Sequence, residues 1–161
     1  MAIHTGKLRN MASVYLLHGD EILLLYRQGN SIVSNLWIGS AGGHFESKEL
    51  NDAKACVLRE MKEELNLGPE DISDLQLRYV TLRYTADEIR QNYYFFAKLS
   101  SAIQAVSTEG HCQWFPLSAL SALPMPFTAR YMIDHYVSKG RHTDHLYGGI
   151  ANRETVNFHQ L

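Results

Sequence analysis

Residues 51–66 carry the pattern that most restricts how this chain can fold, because apolar side chains recur there at helical spacing while Glu60, Glu63 and Glu64 crowd beside them. At about 100° per residue, Ala53, Val57, Leu58, Met61 and Leu65 gather on one face, and that face needs a sheet to cover it. Asn51 is the expected N-cap with Asp52 in the first turn, and Asn66 tolerates the left-handed conformation that closes a helix. Glu60, Glu63 and Glu64 span an arc of about 100°, with Glu64 nearest the apolar face and Glu63 furthest out. Like charges at these spacings repel by about a few tenths of a kcal/mol when exposed, and by more when partly buried. A hard divalent cation, Mg2+ or Mn2+, offsets this repulsion through carboxylate oxygens. The alternative is a solvated acidic face neutralised by Lys54, Arg59 and Lys62 nearby, which is what a glutamate cluster on a helix, taken alone, more often is.

The flanking segments read as strands. Residues 11–17 and 21–28 are rich in aliphatic and aromatic residues around His18-Gly19-Asp20, which predicts a hairpin. Residues 29–34 turn small and polar, and residues 35–45 read as a short strand running into a glycine turn at Gly42-Gly43. Without Cβ atoms, that turn can bring a backbone carbonyl to the same cation as the glutamates. A second hairpin is expected from residues 75–84 and 89–99, followed by a short strand at 112–115 and a helical turn after Pro116. Thr128 is the expected cap of a helix reaching Lys139, with Tyr131, Met132 or Ile133, and Tyr136 toward the core. A terminal hairpin is expected from residues 147–150 and 156–158 around Asn152-Arg153. Strand-rich and helical stretches alternate, which predicts an α/β protein: an α/β/α sandwich with a mixed central sheet, formed by residues 1–161 as one domain.

A formal net charge of -2 and a pI near 6.4 build in no general attraction to a nucleic-acid backbone or an anionic membrane. An anionic substrate therefore needs a local positive centre, and a bound cation is the favoured one. Cys56 and Cys112 have no CxxC neighbour and read as reduced, unreactive thiols. No apolar run resembles a signal peptide or a membrane span, so the expected address is cytoplasmic.

The glycine turn and the helix together resemble the Nudix box of the MutT-like pyrophosphohydrolases. The residues that carry the resemblance are Gly43, five residues, Glu49, and then Arg59-Glu60-Met61-Lys62-Glu63-Glu64-Leu65-Asn66-Leu67. Two departures stand out: nine residues rather than seven separate Glu49 from Arg59, and Asn66 replaces a glycine. Asparagine also enters the left-handed region, so the second change is mild. The longer loop puts at issue whether Glu49 reaches Arg59, an ion pair that orients the helix glutamates in the family.

The resemblance implies metal-dependent hydrolysis of a diphosphate linkage. Glu60 and Glu64 would ligate the metal with help from the Gly42 carbonyl, and Glu63 would hold a second ion or act through water. Arg59 would orient them. The metal would clamp the diphosphate oxygens and lower the pKa of the attacking water. Glu60 and Glu109 are alternative general bases. Gly43, His44 and Arg27 are candidates to contact substrate, although His44 also fits a solvated loop and Arg27 a strand-end charge. Trp37, Tyr84, Tyr94 and Phe127 could stack on a base, with core packing the commoner use of such residues. The leading substrate is a small-molecule nucleotide, a nucleoside triphosphate cut to monophosphate and pyrophosphate, with 8-oxo-dGTP among the candidates. ADP-ribose, dinucleoside polyphosphates, NADH and capped RNA are alternatives, as are a nucleotide-sensing domain and an isoprenyl diphosphate isomerase. No sequence-specific nucleic acid or membrane partner is expected, and a homodimer is implied by analogy alone.

Overall fold

The computed structural model describes residues 6–28 and 35–161, so the polar segment 29–34 and the first residues of the chain lie outside the described part. β1 (Lys7–His18) is the axis of the sheet. One edge of β1 is shared by two short partners: Leu16 to His18 face β2 (Glu21–Arg27), and Met11 to Val14 face β4 (Ala41–His44), both antiparallel. Its other edge runs parallel to β6 (Glu88–Leu99) from Lys7 to Leu17. Beyond β6 the sheet continues through β5 (Ile72–Thr85), β8 (Tyr147–Ala151) and β9 (Val156–Gln160). At the opposite side, β2 also pairs with β3 (Leu36–Ile38) and β7 (Gly110–Pro116). Parallel and antiparallel pairs are mixed, as expected, and all three predicted hairpins form.

The two faces of the sheet are covered by different helices. Ala12, Val14, Leu16 and Leu23 pack against Val57, Met61 and Leu65 of α1 (Ala53–Leu65). On the other face Tyr15, Leu24, Tyr79 and Phe96 pack against Met132, Ile133 and Tyr136 of α2 (Phe127–Ser138). Side chains alternate along a strand, so β1 sends neighbouring residues into both cores and is apolar in succession from Val14 to Leu16. Each large side chain buried so fully contributes about 1.5 to 3 kcal/mol.

Helix boundaries differ from the sequence expectation by a residue or two. Asp52, not Asn51, caps α1, its side chain accepting from the Ala55 amide at 2.9 Å. Asp52 wins because only its carboxylate stands within reach of a first-turn N–H. Pro126, not Thr128, precedes α2; Thr128 lies within the first turn and is buried. Tyr131 is only partly buried and donates to the Glu154 carbonyl at 2.7 Å, so it fastens the β8–β9 hairpin rather than filling the core.

The β5–β6 hairpin turns through Ala86 and Asp87, both left-handed at φ 48° and 59°. That geometry suits asparagine or glycine, and an alanine there is strained. Ala86→Gly should therefore stabilise the protein by about 1 kcal/mol, read as a raised midpoint in urea unfolding with an unchanged slope.

Candidate active site

Where β4 meets α1, the Arg59 guanidinium gathers the acidic residues. Its Nε and Nη2 donate to the two carboxylate oxygens of Glu49 at 2.7 and 3.0 Å. Its Nη1 donates to Glu60 at 2.7 Å and to Glu63 at 3.2 Å, and Nη2 also reaches the His44 carbonyl at 3.1 Å. The longer loop thus does not break the Glu49–Arg59 pair. Residues 47–49 form a short 3-10 turn, and the Asp52 amide bonds back to the Glu49 carbonyl at 2.8 Å. Leu50 and Asn51 are left exposed while Glu49 turns inward, 2% exposed. Outward looping absorbs the extra length without moving the carboxylate.

The pairing has an electrostatic consequence. Hydrogen bonding from Arg59 outweighs burial and holds the Glu49 carboxyl at about 2, well below the usual range. Arg59 is in turn raised, chiefly by its bonds to Glu49.

Glu64 is treated differently. It is 8% exposed and accepts from the Gly42 amide at 3.2 Å, and no bond to Arg59 reaches it. Burial pushes its pKa up to about 7; the Gly42 N–H opposes the shift, while the neighbouring charges of Glu60 and Glu109 reinforce it. One guanidinium therefore faces Glu49, Glu60 and Glu63, and Glu64 is left in a field that favours losing its charge. Lys54 and Lys62, which a merely solvated face would use, are exposed and form no ion pair among the described residues. Hard oxygen donors in excess of their cations suit a divalent ion such as magnesium. Among the described residues no three carboxylate, imidazole or thiol groups form a closed cage, so an ion here would draw on backbone and substrate oxygens too.

Gly42 and Gly43 do not form the turn expected from the sequence but lie in β4, paired with Ser13 and Ala12 of β1, and their missing Cβ atoms bring strand and helix into contact. A Cβ on Gly43 would stand 2.3 Å from a Glu60 carboxylate oxygen, and one on Gly42 would stand 2.6 Å from the Ala12 carbonyl. Glu109 enters from the start of β7, where the register sets Arg27 opposite Gly110. Arg27 donates to Glu109 at 3.2 Å, and the Thr108 amide bonds to the Glu64 carbonyl at 3.3 Å, tying this loop to α1. His44 is exposed, and Arg9 lies against its Nε2. Partial burial and then the Arg9 charge lower the His44 pKa, so its charged form is disfavoured.

A cleft of about 170 Å³ opens beside the glycines on the α2 side of the sheet. Arg27, Gly42, Gly43, Tyr94 and Phe127 line it. Trp37 instead packs on Tyr26 and Phe115, and Tyr84 is exposed with its hydroxyl on Asp87, so of the four aromatics considered, two face the cleft. Arg83 and Arg90 also line it, and sequence reasoning did not single them out. Their signal lies in strand alternation read across two strands, which needs the register. Both thiols are raised by burial, Cys56 to about 12 and Cys112 to about 11, which agrees with inert cysteines.

The glycines of β4 are thus set against a glutamate helix, with carboxylates and backbone groups converging between them. The family model for the NUDIX domain matches residues 7–136, and the chain belongs to that family. No curated protein matches the chain in sequence. Among solved structures, a mutator MutT protein from Bacillus halodurans is similar at 18% identity and a TM-score of 0.65, covering 94% of this chain and 97% of that one. A MutT NUDIX hydrolase from Burkholderia pseudomallei shares 22% identity at a TM-score of 0.64, with 80% and 97% covered. An Ap4A hydrolase from C. elegans shares 20% identity at 0.65, with 84% and 99% covered. These likenesses establish the fold.

Two outcomes are expected. The Glu49 pKa is depressed, so its stabilisation is fully present above the usual carboxylate pKa near 4.5 and is lost as pH falls toward about 2. Urea unfolding followed from pH 6 to pH 2 should show that slope flattened in Glu49→Gln. Gly43→Ala should displace Glu60 and lower turnover on the order of a hundredfold, with a thermal midpoint close to that of the unaltered protein.

Proposed function

We propose that this chain hydrolyses the phosphoanhydride linkage of a nucleotide with the help of magnesium or manganese, and that a nucleoside triphosphate, cut to monophosphate and pyrophosphate, is its main substrate. The observation that carries the reading is Glu64, a buried carboxylate held against the glycines of β4 with Glu60 fixed beside it by Arg59. Glu60, Glu64 and the Gly42 carbonyl would hold the metal, with Glu63, the most exposed of the three, toward a second ion. When bound, the metal supplies positive charge to the diphosphate oxygens and acidifies water.

The chain's own residues do the rest. Arg59 is a positioning residue: its grip on Glu49, which is buried, makes a rigid base from which Glu60 and Glu63 project. Glu60 is already committed to Arg59 at 2.7 Å, so Glu109 is taken as the better placed candidate to receive the proton from water. Its side chain is 43% exposed, pairs with Arg27 alone, and lies close enough to Glu64 for the charges to interact. Arg27 and the Gly43 backbone would meet substrate phosphates, with His44 beside them. Retention of all three helix glutamates favours an enzyme over a nucleotide sensor.

A cytoplasmic address, one domain spanning the chain and a homodimeric assembly complete the proposal; no helix among the described residues is long and apolar enough to cross a membrane. Glu64→Gln should abolish most turnover yet unfold no earlier than the unaltered protein, because the carboxylate is buried at a cost. Glu109→Gln should lower kcat by about 10² to 10⁴. Chelation should silence the enzyme and magnesium restore it, with pyrophosphate release across a nucleotide panel as the assay. Unchanged turnover in Glu64→Gln would remove the proposed site.

A further inference from the structure

The strand register lines up three arginines. Arg9 of β1 stands opposite Arg90 of β6, and Arg90 stands opposite Arg83 of β5. Residues directly opposite in adjacent strands project from the same face with Cβ atoms roughly 5 Å apart, and like charges so placed repel. This is the face that Tyr15 and Tyr94 share with α2, and Arg83 and Arg90 line the cleft there.

The row is short of carboxylates. Glu88 alone serves two of its members, accepting from Arg9 at 3.1 Å and from Arg90 at 3.3 Å. Arg83 has no acidic partner among the described residues and lies over the Phe127 ring, 4.4 Å from its centre. Three guanidiniums against one carboxylate leave an excess of two positive charges in a protein of net charge -2. A sheet that only needed to fold would gain by placing a neutral or acidic residue at one of these positions.

The row also has a direction. At the β1 end Arg9 touches His44, which follows the glycine that contacts Glu60. At the β5 end Arg83 meets Phe127 at the start of α2. The cations therefore lead away from the β4 glycines across β1, β6 and β5, and Arg90 and Arg83 line the cleft.

We propose that Arg9, Arg90 and Arg83 form an anion track that holds substrate phosphate lying beyond the linkage cut at the carboxylate helix. The substrates preferred are then those with three or more consecutive phosphates, over compounds with a bare diphosphate bridge. This deepens the proposed function and rests on it for the position of the scissile bond. The track itself stands on the register and on the charge imbalance. Guanidiniums suit the role because their planar forks bond phosphate oxygens in pairs, and Arg83 is preorganised by its stack on Phe127.

The test uses inorganic tripolyphosphate without divalent cation, titrated calorimetrically into the full chain, into Arg83→Gln/Arg90→Gln, and into Glu64→Gln. Binding should weaken at least tenfold in the double variant and persist in Glu64→Gln. Tripolyphosphate should raise the thermal midpoint of the unaltered protein and not that of the double variant, whose own midpoint should be no lower, since a repulsion has been relieved. In turnover, the double variant should show a raised KM for a nucleoside triphosphate while a diphosphate-bridged dinucleotide is little affected. Equal tripolyphosphate binding by the double variant and the unaltered protein would overturn the track. So would a lowered midpoint with unchanged binding, which would make the arginines structural. Full activity of Glu64→Gln alongside the tenfold binding loss would sink the catalytic reading and leave the anion site standing.

Discussion

The Glu49–Arg59 pair is the interaction on which the site depends. A guanidinium has a fixed planar fork, and two of its nitrogens are committed to a carboxylate that is itself buried and fastened by the 3-10 turn of residues 47–49. The remaining valence of Arg59 then fixes Glu60 and Glu63 and touches the backbone at His44. Strand turn and helix are thereby joined through one side chain. Glu64 stands outside this arrangement and carries the electrostatic cost of the site. It is buried, it accepts from the Gly42 amide, and no ion pair among the described residues meets it.

The sheet makes this possible by giving β1 two kinds of neighbour. Because β2 and β4 share one edge of β1, the glycines of β4 lie beside the same strand that β2 pairs with. A side chain on Gly42 or Gly43 would collide with β1 or with Glu60, so close approach of β4 to both strand and helix is what the glycines serve. The helix needs its apolar face buried against the β1 face bearing Ala12, Val14 and Leu16, and that packing aims the glutamates along the strand ends. The opposite face of β1 supplies a wall of the cleft. One strand thus serves the chemistry on one side and the substrate on the other.

Charge is partitioned across the molecule in a way that its total hides. Carboxylates outnumber cations around α1, and arginines outnumber carboxylates along the β1–β6–β5 row. The proposed metal-bound polyphosphate would meet both conditions at once, with cation at one end and anion along the rest. The low overall charge is the near cancellation of two opposite local fields.

Much of this was legible in the residues alone. Helical periodicity over 51–66 requires an apolar face and places Glu64 nearest it and Glu63 furthest, and burial follows that order. Turn chemistry at Gly19, at Ala86-Asp87 and near Asn152 marks the hairpins, because left-handed backbone and strand alternation are local properties. The family box was legible for the same reason, its spacing being the spacing of a helix. What the sequence could not decide was which distant residues meet. The loop between Glu49 and Arg59 could have carried the carboxylate away or bulged outward, and only the packed turn shows the second. Arg27 looks like a strand-end charge and Glu109 like a separate turn residue until the β2–β7 register brings them together. Arg9, Arg83 and Arg90 look unremarkable one by one. They become a row only through the pairing of β1 with β6 and of β6 with β5, because strand register is set by contacts far apart in the chain, whereas helix phase is set within a few residues.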